Sequence, residues 1–590
     1  MRRPPDDGGD VAVDDAVDVG VDVGVDAGPP GVRVTQVSVP LRDGVGLLAR
    51  VYQPATLAPP FPAVVVRTPY SIDVSEFDRL GWDAYLDLGV AVVHQLVRGQ
   101  GGSGGSFDFF WQEGRDGYDT VEWVAAQAWC DGRVGMDGGS YLGTAQYLAA
   151  LESPPHLRCI MPTVPAGDLF DELPRIGGAL HLGFLFEWIP SLAPTGSAGP
   201  GPDAVTGPFD EGSGRLTARP LSEVLRRHGI GGPLVDEVLR SDTLTGRWCE
   251  IQLTDDDHER VSRIPILTVT GWADGDQAGG LYHWAGIQRR AAATAPVHLI
   301  IGPWMHQQCY LGGEPSLHEL EFGPQSVLDI RAERVAFLRR HLLDDPSGAV
   351  PPRARVFVTG SNRWRADACY PPADVQPTPL YLRSDGGART ASGDGRLSAA
   401  SPADERPDRF AFDPTDPFPY AMYGVDVREA EDRPDVLIYT SAPAHEDVEI
   451  VGDIWLSLHA ATDGGDTDWA ARLVDVTPDG RAVNLSHGRG YLRARYREGF
   501  DRTVRVEPGA AHAYRIRLQD VGHTFLRGHR VRLELTSSMF PLADPNPNTG
   551  TDPVTESAVR TAQQTVFHDR DHPSHLMLPV TRGSFERILT

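Results

Sequence analysis

Four apolar runs of strand length, Ala63-Val64-Val65-Val66, Val90-Ala91-Val92-Val93, Ile266-Leu267-Thr268-Val269 and Leu299-Ile300-Ile301, punctuate the first half of the chain. Helical or irregular segments separate them. Strands this continuously apolar suit a parallel sheet covered on both faces, so an α/β domain is predicted from about Val32 onward. Between the strand after Cys159 and Ile264 lies an insertion of about ninety residues. It contains Leu169-Phe170-Asp171-Glu172-Leu173, Phe184-Leu185-Phe186-Glu187-Trp188 and Leu221-Ser222-Glu223-Val224-Leu225-Arg226, and it is predicted to be a largely helical cap. Its Gly/Pro/Ser-rich middle, Gly196 to Gly214, reads as a loop. Beyond the amphipathic stretch Arg331 to Leu343, Pro351 and Pro352 open a region of short alternating strands, such as Ala354 to Val358, Ile454 to Leu458 and Val531 to Leu535. That spacing predicts an all-β sandwich of jelly-roll type. The expected division is α/β domain 32–162 and 256–349, cap 163–255 and sandwich 350–590. Residues 1–31 alternate Val, Asp and Gly, too few and too small to offset the entropy of ordering, and are expected to be a disordered acidic tail.

Composition narrows the function classes. A formal charge of −27 over 590 residues disfavours nucleic acid or an anionic membrane as partner. Cys130, Cys159, Cys249, Cys309 and Cys369 form no Cys-x-x-Cys pair, so neither a zinc site nor a disulfide framework is indicated and buried free thiols are expected. Arg2 and Arg3 precede no apolar region, and no stretch approaches the ~18 apolar residues of a membrane helix. A cytoplasmic enzyme is the expectation, and a homodimer is left open.

The chemistry begins in Gly132-Arg133-Val134-Gly135-Met136-Asp137-Gly138-Gly139-Ser140-Tyr141-Leu142-Gly143, a short strand running into a serine bracketed by glycines. A serine on a sharp strand-to-helix turn needs small neighbours, because other backbone passes close to it, and Gly138, Gly139 and Gly143 supply them. The helix predicted over Thr144 to Leu151 would aim its N-terminal amides where an oxyanion forms. The spacing is Gly-x-Ser-x-x-Gly, however, not the usual Gly-x-Ser-x-Gly, so the case depends on an acid and a base elsewhere. In an α/β-hydrolase these follow the nucleophile in that order, each at a strand's C-terminal end. Ile264 to Thr270 ends in Gly271-Trp272-Ala273-Asp274-Gly275-Asp276, and Val297 to Ile301 ends in Gly302-Pro303-Trp304-Met305-His306. On pattern alone either Asp274 or Asp276 can serve as the acid.

These residues resemble the cocaine esterase and X-prolyl dipeptidyl-peptidase serine hydrolases, the CocE/NonD family, over about residues 32–590. The resemblance rests on Arg67-Thr68-Pro69-Tyr70, Arg98-Gly99, Glu113 to Trp123, Trp129 to Met136, Gly139-Ser140-Tyr141-Leu142-Gly143, Gly271 to Gly275 and Gly302 to His306. Phe412 to Pro417, Tyr439 to Pro443 and Asp466 to Trp469 extend it into the third region. It implies an α/β-hydrolase core with an inserted helical cap and a C-terminal jelly-roll-like sandwich. It also implies Ser140 as nucleophile, Asp274 rather than Asp276 as orienting acid and His306 as base, with Tyr70 and the backbone amide of Tyr141 in the oxyanion hole. The off-pattern glycine spacing is the family's own.

The expected reaction is cleavage of an ester or amide of a small acyl compound through an acyl-enzyme, with no metal or organic cofactor. Trp272, Trp304 and Asp276 are candidate substrate contacts. Asp276 falls where the cocaine-cleaving relative carries an apolar aromatic, so an acidic wall that binds a basic nitrogen is a hypothesis. The α-amino ester hydrolase branch has an acid three residues after the nucleophile, where this chain has Gly143, which disfavours that specificity. Arg98 is expected to pair with acids beneath the active-site loops, and Asp463, Asp466 and Asp468 to form a solvated loop without EF-hand spacing. Competing readings are an X-prolyl dipeptidyl peptidase, an acyltransferase using the same acyl-enzyme, and a carbohydrate-binding protein with a vestigial hydrolase core.

Overall fold

The structure, a computed structural model, describes residues 29–72, 81–192, 216–290, 295–349 and 351–584. Most of the acidic tail and the loop Gly196 to Gly214 lie outside the described residues. The first sheet has ten strands: β1 Val32–Pro40, β2 Gly46–Pro54, β3 Phe61–Thr68, β4 Ala91–Leu96, β5 Cys130–Gly139, β6 Leu157–Thr163, β7 Ile266–Gly271, β8 Val297–Gly302, β9 Ala354–Val358 and β10 Arg363–Asp367. Their order is β1-β2-β4-β3-β5-β6-β7-β8-β9-β10. From β4 to β9 neighbouring strands run parallel, while β1, β2 and β10 add antiparallel edges.

The continuous apolar runs have a direct cause. Every residue of β3, β4, β7 and β8 is buried, because helices cover both faces of the sheet centre. One cover is α1, Glu113–Ala125, and another is α2, Tyr141–Leu151, of which only Leu142 and Leu151 retain partial exposure. Two more helices follow: α3, Gln277–Arg289, and α4, Ile330–His341, whose first turn is capped by the Asp329 side chain.

Strand β9 lies just past the expected boundary near residue 350 and joins the first sheet. Ala354–Val358 is not a sandwich strand; it pairs in parallel with β8, Leu299 opposite Ala354, and continues by hairpin into β10. Arg355 gives the segment an alternating look, yet Ala354, Val356, Phe357 and Val358 are all buried, as a sheet-interior strand requires. The all-β region beyond forms a fourteen-stranded hydrogen-bonded network in which, for example, Asp468–Val476 pairs antiparallel with Arg530–Thr536.

Four further expectations change. Leu169 to Leu173 is not helical, because carboxylates capture its backbone amides: Asp168 Oδ1 accepts from Phe170 and Asp171, and Glu172 Oε2 from Gly167 and Asp168. The cap mixes a Phe184–Trp188 π-turn, helices Leu221–Arg227 and Pro233–Arg240, and a short hairpin of Arg175–Ile176 with Ala179–Leu180. Asp466 and Asp468 are buried, not solvated, with Arg495 and Arg493 as partners, and only Asp463 stays at the surface. Among the cysteines, Cys130, Cys159 and Cys309 are buried, but Cys249 is exposed and Cys369 half-buried.

Candidate active site

Strand β5 enters α2 through Ser140, whose backbone sits at φ 58° and ψ −125°. For an L-residue this is a sparsely populated region that costs on the order of 1–3 kcal/mol, so surrounding structure must enforce it. Three glycines permit it. A Cβ on Gly138, itself at φ 132°, would lie 2.6 Å from Leu142 Cβ; one on Gly139 would lie 2.5 Å from the Tyr310 hydroxyl; one on Gly143 would lie 2.9 Å from the Thr163 carbonyl. The Ser140 amide donates to Thr163 O at 2.9 Å, tying the turn to β6. Tyr141 opens the helix, so its amide has no carbonyl a turn behind it within α2.

Asp274 and His306 follow β7 and β8, which pair from Val297 opposite Ile266 to Gly302 opposite Gly271. Sheet register therefore brings the two loops together. His306 Nδ1 lies 3.0 Å from Asp274 Oδ1 and 3.9 Å from Asp276 Oδ2. The Asp276 amide donates to the same Asp274 oxygen at 3.0 Å. Asp274 is 2% exposed, whereas the Asp276 carboxylate is 20% exposed, so burial separates the oxygen that orients the ring from the one that faces solvent. Burial alone would lower the His306 pKa, but the charge and hydrogen bond of Asp274, with Asp276 adding its charge, raise it to about 9. Asp276 is pushed up to about 6, by burial first and by the Asp274 charge next. The ligand atoms of Asp274, Asp276 and His306 lie within 4.8 Å of one another, close enough for a cation, but both contacts at Asp274 Oδ1 are those of N–H donors.

Tyr70 lies on the loop after β3, and its hydroxyl accepts from Trp188 Nε1 at 3.0 Å. Burial raises the phenol to about 12, so it stays an O–H donor. Trp188 belongs to the cap, which therefore touches the site through this bond. Tyr141's own side chain points away: its hydroxyl donates to Phe109 O at 2.9 Å and its ring stacks on Phe110.

Trp272 and Trp304 do not line a pocket; both are 0% exposed. Trp272 Nε1 donates to Phe357 O at 2.6 Å, and a Cβ on Gly522 would lie 2.8 Å from its ring, so it fills the seam with the all-β domain. Trp304 is wedged against Gly313, where a Cβ would come within 2.0 Å of its ring. Arg98 has the expected structural role, pairing bidentately with Asp116 and with Asp43.

Several residues near the site had no signature in the sequence. Tyr310 lies edge-on to His306 with ring centroids 6.0 Å apart. Glu172, buried, has one carboxylate oxygen without a hydrogen-bond partner, and burial raises its pKa to about 8. From the all-β domain Arg489 comes within 3.8 Å of both Asp171 and Glu172, and His487 faces Gly275.

A strained serine at one strand end and an imidazole–carboxylate pair at two others, on a mixed α/β sheet, define the class of this protein: an α/β-hydrolase serine hydrolase, followed by an all-β domain. The profile of the X-Pro dipeptidyl-peptidase (S15 family) matches residues 43–308, and that of the X-Pro dipeptidyl-peptidase C-terminal non-catalytic domain matches residues 349–577. The cocaine esterase of Rhodococcus sp. (strain MB1 Bresler) is 32% identical over 586 residues, covering 93% of this chain and 98% of that protein. The chain belongs to this cocaine esterase and X-Pro dipeptidyl-peptidase family. Among solved structures, an α-amino acid ester hydrolase shares 25% identity with a TM-score of 0.82, covering 93% of this chain and 97% of that one. An aminopeptidase from a Thaumarchaeota archaeon of marine sediment shares the fold, with 24% identity, a TM-score of 0.81 and coverage of 93% and 97%.

Proposed function

We propose that the protein is a carboxylic-ester hydrolase in which Ser140 is the nucleophile, His306 the general base and Asp274 the orienting acid. The observation that carries this reading is the 3.0 Å His306–Asp274 contact, set by the pairing of β7 with β8 on the sheet whose β5 ends in Ser140. Neutral His306 takes the Ser140 proton as Ser140 attacks the carbonyl, and returns it to the leaving group. With Nδ1 turned to Asp274, Nε2 is the nitrogen free to do so. The Tyr70 hydroxyl and the Tyr141 amide donate to the oxyanion, and water then hydrolyses the acyl-enzyme.

In this reading the catalytic unit runs from about residue 32 to 162 and from 256 through β10, with 163–255 as its cap. Asp276, one-fifth exposed and next to the base, contacts a substrate that carries a basic nitrogen. No helix among the described residues is long and apolar enough to cross a membrane, and the acidic chain is assigned to the cytoplasm. The second reading, an X-prolyl dipeptidyl peptidase, is favoured by the S15 profile match. A panel of p-nitrophenyl esters beside Gly-Pro-p-nitroanilide separates them. The esterase reading requires ester turnover to dominate; preferential release of p-nitroaniline from Gly-Pro-p-nitroanilide overturns it in favour of the peptidase.

A further inference from the structure

The loop that carries the acid is held from both sides. On the sheet side the Trp272 amide donates to Gly302 O at 2.9 Å and the Ala273 amide to Trp304 O at 3.1 Å. On the other side lies Gln519, from the all-β domain, 2% exposed. Its Nε2 donates to Trp272 O at 2.6 Å and reaches Asp274 O at 3.5 Å, while its Oε1 accepts from the His487 amide. These contacts fix the carboxamide's orientation, because a flip would set its oxygen against the Trp272 carbonyl and its NH2 against the His487 amide. Meanwhile Asp274 Oδ2 is buried without a hydrogen-bond partner. Among the described residues only His306 and the Asp276 amide hold the carboxylate itself, so its aim depends on the backbone that Gln519 grips.

We propose that Gln519 is a positioning residue for the catalytic acid: a side chain of the all-β domain sets the orientation of Asp274 toward His306. The inference rests on the reading of Asp274 as that acid. It gives the second domain a part in catalysis although it supplies neither nucleophile nor base.

The test uses the full-length protein with Gln519→Met, which keeps length but removes the donors, and Gln519→Glu, which keeps the acceptor for His487. Tyr370→Phe is the control, since it removes a buried hydrogen bond to Asp520 Oδ2, 3.1 Å long, at the same seam but away from the acid. Both Gln519 variants are expected to lose about 10- to 100-fold in kcat with little change in KM, as a misaimed catalytic group does. Gln519→Met is also expected to lower the pKa of the acid limb of the pH–rate profile, because His306 then feels Asp274 less. Tyr370→Phe is expected to lower Tm and leave kcat and the pH profile in place. Folded Gln519 variants with wild-type kcat and acid limb overturn the proposal. So do variants that fail to fold, or whose activity loss only follows Tm as in the control, since Gln519 is then structural. Asp274→Asn, assayed alongside, keeps the two ideas apart. Wild-type kcat there removes the assignment of Asp274 itself, whereas an inactive Asp274→Asn with unaffected Gln519 variants removes only the positioning role.

Discussion

Replacing Asp276 with Asn should change the pH at which the enzyme works, and in an unusual direction. The Asp276 oxygen lies 3.9 Å from His306 Nδ1. At that range a unit charge near a protein surface is worth about 4 kcal/mol with an effective dielectric constant of roughly 20, which sets a ceiling of about a thousandfold on proton affinity. Because the Asp276 side chain is 20% exposed, solvent screening reduces this, and a fall of about 10- to 100-fold in the proton affinity of His306 is the working expectation. Asp276 titrates near 6, so it is fully charged where His306 titrates, near 9. His306 must be neutral to act as base. Wild-type kcat/KM should therefore still be rising with pH above 7, toward a plateau past about 9. In Asp276→Asn the rising limb moves to lower pH, so kcat/KM for a neutral p-nitrophenyl ester at pH 7 should increase by about the factor that His306 loses in proton affinity. For an ester with a basic nitrogen the lost attraction opposes that gain, and the ratio of basic to neutral kcat/KM should fall. An unmoved acid limb would refute the electrostatic reasoning, and an unchanged ratio would refute the contact with a basic substrate.

Tyr70→Phe removes one oxyanion donor and should lower kcat about 10²–10³-fold with KM nearly constant, measured on the same esters. Gly143→Ala places a Cβ 2.9 Å from the Thr163 carbonyl and should destabilise the fold by about 1–3 kcal/mol in thermal unfolding, whereas Gly231→Ala, with nothing within 4 Å, should not destabilise it. Glu172 has a folded pKa near 8 against an ordinary 4.5, so the folded state holds a proton that the unfolded chain releases at lower pH. Its contribution is complete below about 4.5 and is lost as pH rises toward 8, so Tm measured from pH 5 to 9 should decline less in Glu172→Gln than in the wild type.

Local pattern made much of the core legible. The strands around Ala63, Val90, Ile266 and Leu299 are buried on both faces, and such strands are apolar throughout. Ser140 and His306 stand out as residues at strand ends, whereas the choice of Asp274 over Asp276 rests on the family resemblance and not on the local pattern. What the pattern could not carry was set by distant contacts. Trp272 looks like a pocket aromatic until Phe357 and Gly522 close over it, and Gln519 reaches Trp272 across 247 residues of chain. Segment Leu169 to Leu173 has helical composition, but Asp168 and Glu172 take its amides. Strand β9 reads as part of the sandwich because Arg355 imitates alternation in a strand that the sheet interior has claimed.

The most direct measurement is the intact mass of the protein after reaction with a fluorophosphonate, with the modified peptide then sequenced. The expected result is one phosphonyl adduct per chain on Ser140, abolished in Ser140→Ala together with ester hydrolysis. Labelling at another residue, or hydrolysis that survives Ser140→Ala, would contradict an acyl-enzyme formed on this serine.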